Sequence, residues 1–226
     1  YYYNRAQVFL NYQLRPEDFH EPVCGRQQKV PYLVCLGLQS LESNLESVSQ
    51  QPFYYRSWIA AGNSAFNLNL HESAIESYRN AASMVPSAWS IRNNLAESRI
   101  NLGLYEDALA ALNTSLKITG ESDESTLAFF FKGRALRELS RLDEAVTALK
   151  LGLSLNYMSG TASASLDFIR DINEEQGTQF DLEYFDGNIS RNPDDAVAYY
   201  FRGLAKLALG NSEGARIDIA ESLNLG

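Results

Sequence analysis

Few side chains in this sequence could support catalysis or hold a metal ion. The two histidines are His20 and His71, and the two cysteines are Cys24 and Cys35. Ten residues separate the cysteines, whereas zinc-binding cysteines usually come in pairs only about two to four residues apart. We therefore predict no metal site and two free thiols. Pairing of the cysteines in an oxidising compartment remains the alternative.

Adjacent carboxylates are the other candidate catalytic groups. Pairs such as Asp194–Asp195 and Glu174–Glu175 are typical of solvated turns and helix ends. The sequence contains no Gly-x-Gly-x-x-Gly, no phosphate-binding Gly-Lys-Ser/Thr and no Gly-x-Ser-x-Gly motif. The residue inventory therefore predicts a protein that is not an enzyme and has no cofactor.

The overall charge excludes a further class of function. The chain has 226 residues, 19 of them Lys or Arg and 28 Asp or Glu, so its formal charge is −9. A nucleic-acid-binding protein needs a cationic face to displace counterions, so we expect no nucleic-acid partner.

The longest uncharged stretch, Leu151–Leu166, is interrupted by Ser, Asn and Gly. We interpret it as a loop and expect no membrane insertion by this segment. Because the sequence lacks an initiating Met, we expect a processed protein or a domain of a larger one, cytoplasmic or extracytoplasmic.

An internal repeat in the sequence indicates the structural elements that would position any functional site. Four segments consist of Ala, three residues and a large apolar side chain: Ala74–Tyr78, Ala108–Leu112, Ala145–Leu149 and Ala215–Ile219. The first two begin 34 residues apart, and a small residue precedes each Ala by twelve positions: Gly62, Ala96, Gly133 and Gly203. Self-similarity at such a period indicates stacked supersecondary units.

Residues 55–88 carry the most complete version of the pattern, with Trp58, Gly62, Tyr78 and Pro86 at its marked places. In this the chain resembles tetratricopeptide repeat (TPR) proteins. The resemblance implies an all-α fold, a right-handed α–α superhelix (TPR solenoid) of antiparallel helix pairs. Its repeats would span 55–88, 89–122, 126–159, a degenerate 160–195, and 196–226. Residues 1–53 would form an N-terminal helical hairpin or cap, with helices at Tyr2–Leu14 and Pro31–Val48.

The resemblance also implies a concave groove that binds a partner segment. Its expected lining residues are Arg56, Asn63, Asn67, Asn93, Glu97, Asn101, Phe130, Arg134, Arg137, Tyr200, Leu204 and Leu207. Asn side chains both donate and accept hydrogen bonds, which suits the backbone of an extended peptide. The aromatic, apolar and Arg residues of the third and fourth repeats are expected to supply more of the binding energy. Alternatively, these residues pack on the degenerate repeat between them.

The leading functional prediction is a non-catalytic protein–protein interaction scaffold, which could assemble into a larger complex. One alternative is the soluble TPR tail of a larger membrane-bound cell-envelope protein of the glycan ligase or polymerase type. Another is a structural subunit that assembles end to end.

Some TPR proteins bind the acidic tail of heat-shock chaperones with two Asn and three cations. Asn63 and Asn94 match the two Asn, but the cationic places hold Ile59, Leu127 and Phe131, so we expect no chaperone-tail binding.

Overall fold

The computed structural model describes residues 32–156, 160–176 and 182–225, which form α-helices and one 3-10 turn, with no β-strand among them. In chain order the helices are α1 (Tyr32–Gln50), α2 (Tyr55–Asn67), α3 (His71–Met84), α4 (Trp89–Asn101), α5 (Tyr105–Thr119), α6 (Thr126–Glu138), α7 (Leu142–Leu155), α8 (Ala162–Gln176), α9 (Glu183–Arg191), α10 (Ala196–Ala208) and α11 (Ser212–Leu225). The predicted helix at Tyr2–Leu14 and the side chains of His20, Cys24 and Cys35 lie outside this description.

One kind of turn closes the helix pairs α2–α3, α4–α5, α6–α7 and α10–α11. Its central residue has a positive φ, at Asn69, Gly103, Ser140 and Gly210 respectively. The next N–H donates to a carbonyl five residues back, as from Leu70 to Ala65 at 2.9 Å. This is the left-handed helix stop that satisfies the last carbonyls and reverses the chain.

Small residues at fixed positions set the distance between paired helices. A Cβ atom added to Gly62 would lie 2.6 Å from the Tyr78 ring, and one added to Gly133 would lie 2.5 Å from Leu149. Each large side chain therefore rests on the backbone of the glycine sixteen residues before it, which explains why the two markers recur in phase. The intervening Ala74 and Ala145 are fully buried. The predicted all-α fold of antiparallel helix pairs is confirmed.

The chain divides into two compact units, an N-terminal unit (Tyr1–Ile118) and a C-terminal unit (Thr119–Gly226). In the N-terminal unit, α1 packs on α2 through a seam of small polar side chains. Asn44 Nδ2 donates to Ser64 Oγ at 2.9 Å, and the Ser47 and Ser57 hydroxyls are 2.8 Å apart. A polar seam lets the two helices approach closely while each hydroxyl keeps a hydrogen-bond partner.

The C-terminal unit contains the degenerate repeat, whose helices are α8 and α9. The predicted apolar stripe of α8 is buried at Leu166, Ile169 and Ile172. The interpretation of Leu151–Leu166 as a loop is wrong at both ends, since α7 continues to Leu155 and α8 begins at Ala162. The helix continues there because Leu153 is buried and Gly152 lies close to Phe129. Within the described ranges, no helix is both long enough and apolar enough to cross a bilayer.

Candidate functional site

The N-terminal unit has a polar cleft of about 310 Å³ between α2 and α4, with α3 at its base. We call it the Asn cleft. It is lined by Asn63, Phe66, Asn67, Tyr78, Asn94 and Glu97. Helical spacing explains the set, because residues three or four apart share one face of a helix. Three of these residues were predicted groove residues, and the structure brings them together.

Tyr78 organises the polar groups of the Asn cleft. Its ring is buried on Gly62, and its hydroxyl donates to Asn63 Oδ1 at 2.7 Å. The Asn94 side chain lies close to the same hydroxyl and acts against the rise in its pKa. Since that hydroxyl gives its proton to Asn63, it can only accept from the amide of Asn94. The Asn63 amide therefore turns its donor group away from Tyr78, and the Asn94 amide turns its oxygen away from it.

Burial also sets the electrostatics of this cleft. Removal from water, followed by the nearby Glu97 carboxylate, raises the pKa of Tyr78, so the phenol stays protonated. Burial lowers the pKa of His71, whose ring meets that of Phe66 edge-on at 5.2 Å between centroids. The imidazole next to the cleft is therefore neutral at pH 7.

The prediction for Asn93 is wrong, because this residue is fully buried. It lies on the inward stripe of α4 with Ala96 and Ile100, both also buried. Neither atom of its side-chain amide has a hydrogen-bond partner. Its neighbour Asn94 lines the cleft instead. Asn94 could have been predicted from the sequence, because it lies three residues before Glu97 and therefore on the same face of α4. The alignment of repeat positions placed Asn93 in the groove instead.

The remaining predicted residues of the N-terminal unit lie outside the Asn cleft. Arg56 is exposed in the first turn of α2, where its Nε donates to the hydroxyl of Tyr55 at 3.2 Å. Asn101 is exposed at the last residue of α4. Both are on the surface, but neither contributes to the lining of the cleft.

In the C-terminal unit, α6 and α8 form a cationic and aromatic surface that we call the Arg–Phe face, made of Phe130, Arg134, Arg137, Phe168 and Asp171. The rings of Phe130 and Phe168 meet edge-on with centroids 5.9 Å apart. Arg134 lies 5.9 Å from the centroid of Phe130, and Arg137 lies 5.3 Å from that of Phe168. Arg137 is also 4.0 Å from Asp171. These contacts hold two guanidinium groups at the surface in defined orientations.

The alternative of packing on the degenerate repeat therefore applies to Phe130, which contacts Phe168 of α8. Phe168 was not among the residues predicted from the sequence. The available signal was its place at the edge of the apolar stripe of α8, one residue before the buried Ile169.

A second, less polar cleft of about 250 Å³ lies between α8 and α10. We call it the apolar cleft. It is lined by Ser163, Leu166, Asp167, Arg170, Leu204, Ala205 and Leu207. The predicted residues Leu204 and Leu207 thus lie together, and Leu207 is 51% exposed. Tyr200 is also exposed and meets Phe201 edge-on at 5.4 Å.

A buried cluster of ion-paired side chains connects α10 with α11, and it was not predicted from the sequence. Asp218 of α11 is 2% exposed and accepts hydrogen bonds from Arg202 at 2.7 and 2.8 Å. Lys206 Nζ is 2.7 Å from the same carboxylate, and Arg202 also reaches Asp186 of α9 at 2.6 Å. Burial alone would raise the pKa of Asp218, but the two cations outweigh it and the net shift is downward. Arg202 and Asp218 are sixteen residues apart, as are Gly62 and Tyr78. The repeat spacing could therefore have predicted that these two side chains meet.

These surfaces and the helix pairs beneath them define the class of protein: a helical-repeat protein. Sequence comparison agrees, since a tetratricopeptide repeat profile matches residues 59–123. No curated protein matches this chain.

Three solved structures show the same fold. The chain is similar to YrrB, described as a TPR protein with an unusual peptide-binding site, at 18% identity and a TM-score of 0.51, covering 82% of this chain and 93% of that one. It is similar to a chain of the APC/C hetero-tetramer Cut9–Hcn1 at 17% identity and a TM-score of 0.56, covering 86% and 38%. It is also similar to TTC0263, a thermophilic TPR protein of Thermus thermophilus, at 16% identity and a TM-score of 0.52, covering 77% and 97%.

Proposed function

We propose that this chain is a non-catalytic scaffold that binds an extended segment of a partner protein in the Asn cleft. The observation that carries the proposal is the convergence of three Asn side chains in one concave polar site, where a buried tyrosine holds Asn63 by a hydrogen bond. Pockets that bind ligands usually combine a concave shape with a few polar groups that fix orientation.

The chemistry of the Asn cleft suits a peptide backbone. Each residue of an extended peptide presents one N–H and one C=O that must find partners when water is removed. The Asn63 donor and the Asn94 acceptor, both turned away from Tyr78, can pair with one of each. Peptide binding is named for YrrB, and the shared fold makes that mode available here.

The C-terminal unit supplies the second part of the proposal. Interface energy concentrates in aromatic and Arg anchors that lose their water on binding. Arg134 and Arg137 are held by aromatic rings, and Tyr200 and Leu207 expose apolar surface. We propose that the Arg–Phe face and the apolar cleft bind side chains of a partner protein.

Selection from a random peptide display library on the whole chain tests this proposal. We expect enriched peptides to bind the double variant Asn63→Ala/Asn94→Ala at least about tenfold more weakly, because two hydrogen bonds to the ligand are lost. The matched control is Asn113→Ala, an exposed residue of α5, which should bind like the parent. No enrichment of any peptide, or equal binding by the double variant, would contradict the proposal.

A further inference from the structure

We propose that the Arg–Phe face selects an acidic side chain, Asp or Glu, from the partner protein. This refinement rests on the proposed function of that face and gives Arg134 the role of counter-charge. The guanidinium carbon of Arg134 lies 5.9 Å from the ring centroid of Phe130 and 5.8 Å from that of Phe131. Within the part of the chain that the structure describes, these rings are its contacts, and it has neither an ion-pair partner nor a hydrogen-bond acceptor.

The other arginines of α6 and α8 each have a carboxylate beside them. Arg137 of α6 is 4.0 Å from Asp171. Arg170 of α8 is 2.9 Å from Asp167 and 3.1 Å from Asp171. Two guanidinium groups and two carboxylates thus balance one another on these helices. Arg134 is the guanidinium of this group that has no such neighbour.

One further carboxylate lies near in the sequence, that of Glu138, one helical turn after Arg134. Glu138 is exposed and makes a contact of its own, but it does not pair with Arg134. The charge of Arg134 is therefore held by aromatic rings and is not neutralised by an ion pair. Cation–ring contacts leave the guanidinium charged and its N–H groups able to donate.

The state of Arg134 suits a carboxylate ligand. The residue is half-buried, so part of its hydration is already lost before a ligand arrives. The planar fork of N–H donors matches the two oxygens of a carboxylate, and such charge-assisted pairs are the stronger hydrogen bonds of proteins. Contact with two rings also limits the motion of the side chain, so less conformational entropy is lost on binding.

The predicted ligand differs from the acidic tail of a chaperone. The places at which chaperone-binding TPR proteins carry their cations hold Ile59, Leu127 and Phe131 in this chain, and Arg134 is at none of them. We therefore expect an acidic side chain within a segment and not an acidic chain end. Because the whole chain has a formal charge of −9, its long-range field opposes any acidic ligand. A preference for acid must come from the local site.

A matched pair of peptides isolates the charge. Both are short, capped at each end and built of Ala, Ser and Leu, and they differ in one central side chain, glutamate or glutamine. These two side chains have the same shape, and the caps leave glutamate as the only carboxylate. Binding to the whole chain is followed by NMR through the backbone amides of α6 and the Nε–H of Arg134. We expect the glutamate peptide to bind about fivefold more tightly, because a charge-assisted hydrogen bond replaces a neutral one.

Two variants of α6 locate the effect. Arg134→Gln should abolish the preference for glutamate, whereas Lys132→Gln removes the same charge from the same helix and should preserve it. Unchanged melting temperatures show that both variants fold. Equal binding of the two peptides to the parent would overturn the inference. So would a preference that survives Arg134→Gln or disappears in Lys132→Gln.

The parent protein gives a second readout that does not depend on the folding of a variant. The Nε–H signal of Arg134 should move with the glutamate peptide and not with the glutamine peptide. Tight binding of the glutamate peptide that leaves this signal in place would also overturn the inference. The variant Asn63→Ala/Asn94→Ala should keep the preference for glutamate. Failure of the display selection described above would therefore contradict binding in the Asn cleft, which is a separate result.

Discussion

The Asn cleft and the Arg–Phe face are built on the same repeat position with opposite chemistry. Asn63 directly follows the buried Gly62, and Arg134 directly follows the buried Gly133. The corresponding residues of the second and fourth repeats are Glu97 and Leu204. One backbone position thus carries a neutral polar, an acidic, a cationic or an apolar side chain.

The difference between the two units shows how the fold separates stability from recognition. Gly62 contacts Tyr78 and Gly133 contacts Leu149, and the close approach of the paired helices leaves no room for a larger residue at either glycine. The next residue is rotated by about 100° along the helix and is partly exposed to solvent, so its identity affects the helix packing much less. The same contrast predicts which substitutions alter folding and which alter only binding.

The largest expected effect comes from the buried ion cluster of the C-terminal unit. Asp218→Asn leaves Arg202 and Lys206 without their shared carboxylate in a buried place, and breaking such a pair typically costs about 3–5 kcal/mol. We expect that loss in urea unfolding. The control is Glu213→Gln on the same helix, whose ion pair with Arg216 is exposed at the surface and should contribute little to stability. Equal losses for the two variants would show that Asp218 is not held as described.

The same cluster makes the stability depend on acid. Because the pKa of Asp218 is lowered in the folded protein, its contribution is fully present above the ordinary carboxyl value of 3.8. It is lost as the pH falls through the lower folded value. In unfolding curves recorded from neutral pH downward, Asp218→Asn should lose less stability with acid than the parent.

Packing substitutions test what the two units share. Ala74→Leu in the N-terminal unit and Ala145→Leu in the C-terminal unit both overfill a fully buried helix contact. Each should cost about 1–3 kcal/mol. Ala110→Leu, at an exposed position of α5, is the control and should change stability by less than about 0.5 kcal/mol. Unchanged thermal midpoints for both core variants would contradict the helix-pair register.

Most of the fold followed from the sequence because the repeat encodes local geometry. The spacing of Gly62, Ala74 and Tyr78 placed the helix pairs, and the turns followed from where each pair must reverse. The site was only partly predictable. A repeat position indicates which face a residue shares, but it did not show that Asn93 joins the buried stripe of α4. Phe130 contacts Phe168 in the degenerate repeat. This repeat lacks the Ala marker that identifies the other helix pairs, so the contact could not be predicted.

A smaller effect is expected from the tyrosine of the Asn cleft. Tyr78→Phe keeps the ring on Gly62 but removes the hydroxyl that donates to Asn63 and lies close to Asn94. We expect a loss of about 1 kcal/mol in thermal or urea unfolding. Selected peptides should also bind more weakly, because the amides are no longer oriented. A variant that binds them like the parent would show that the Asn side chains need no such support.

The smallest effect on stability is expected from the replacement of Tyr200. This prediction tests the proposed binding surface of the C-terminal unit. Tyr200 is 43% exposed, so Tyr200→Ala should change the unfolding free energy by less than about 0.5 kcal/mol. Arg134→Ala should cost somewhat more, about 0.5–1 kcal/mol, because its guanidinium lies against Phe130 and Phe131. If this surface binds a partner, both variants should weaken a protein that the parent captures, and helical circular dichroism should not change. If instead Tyr200→Ala lowers the melting temperature and spares binding, its ring is part of the core and the two units do not differ in the way described above.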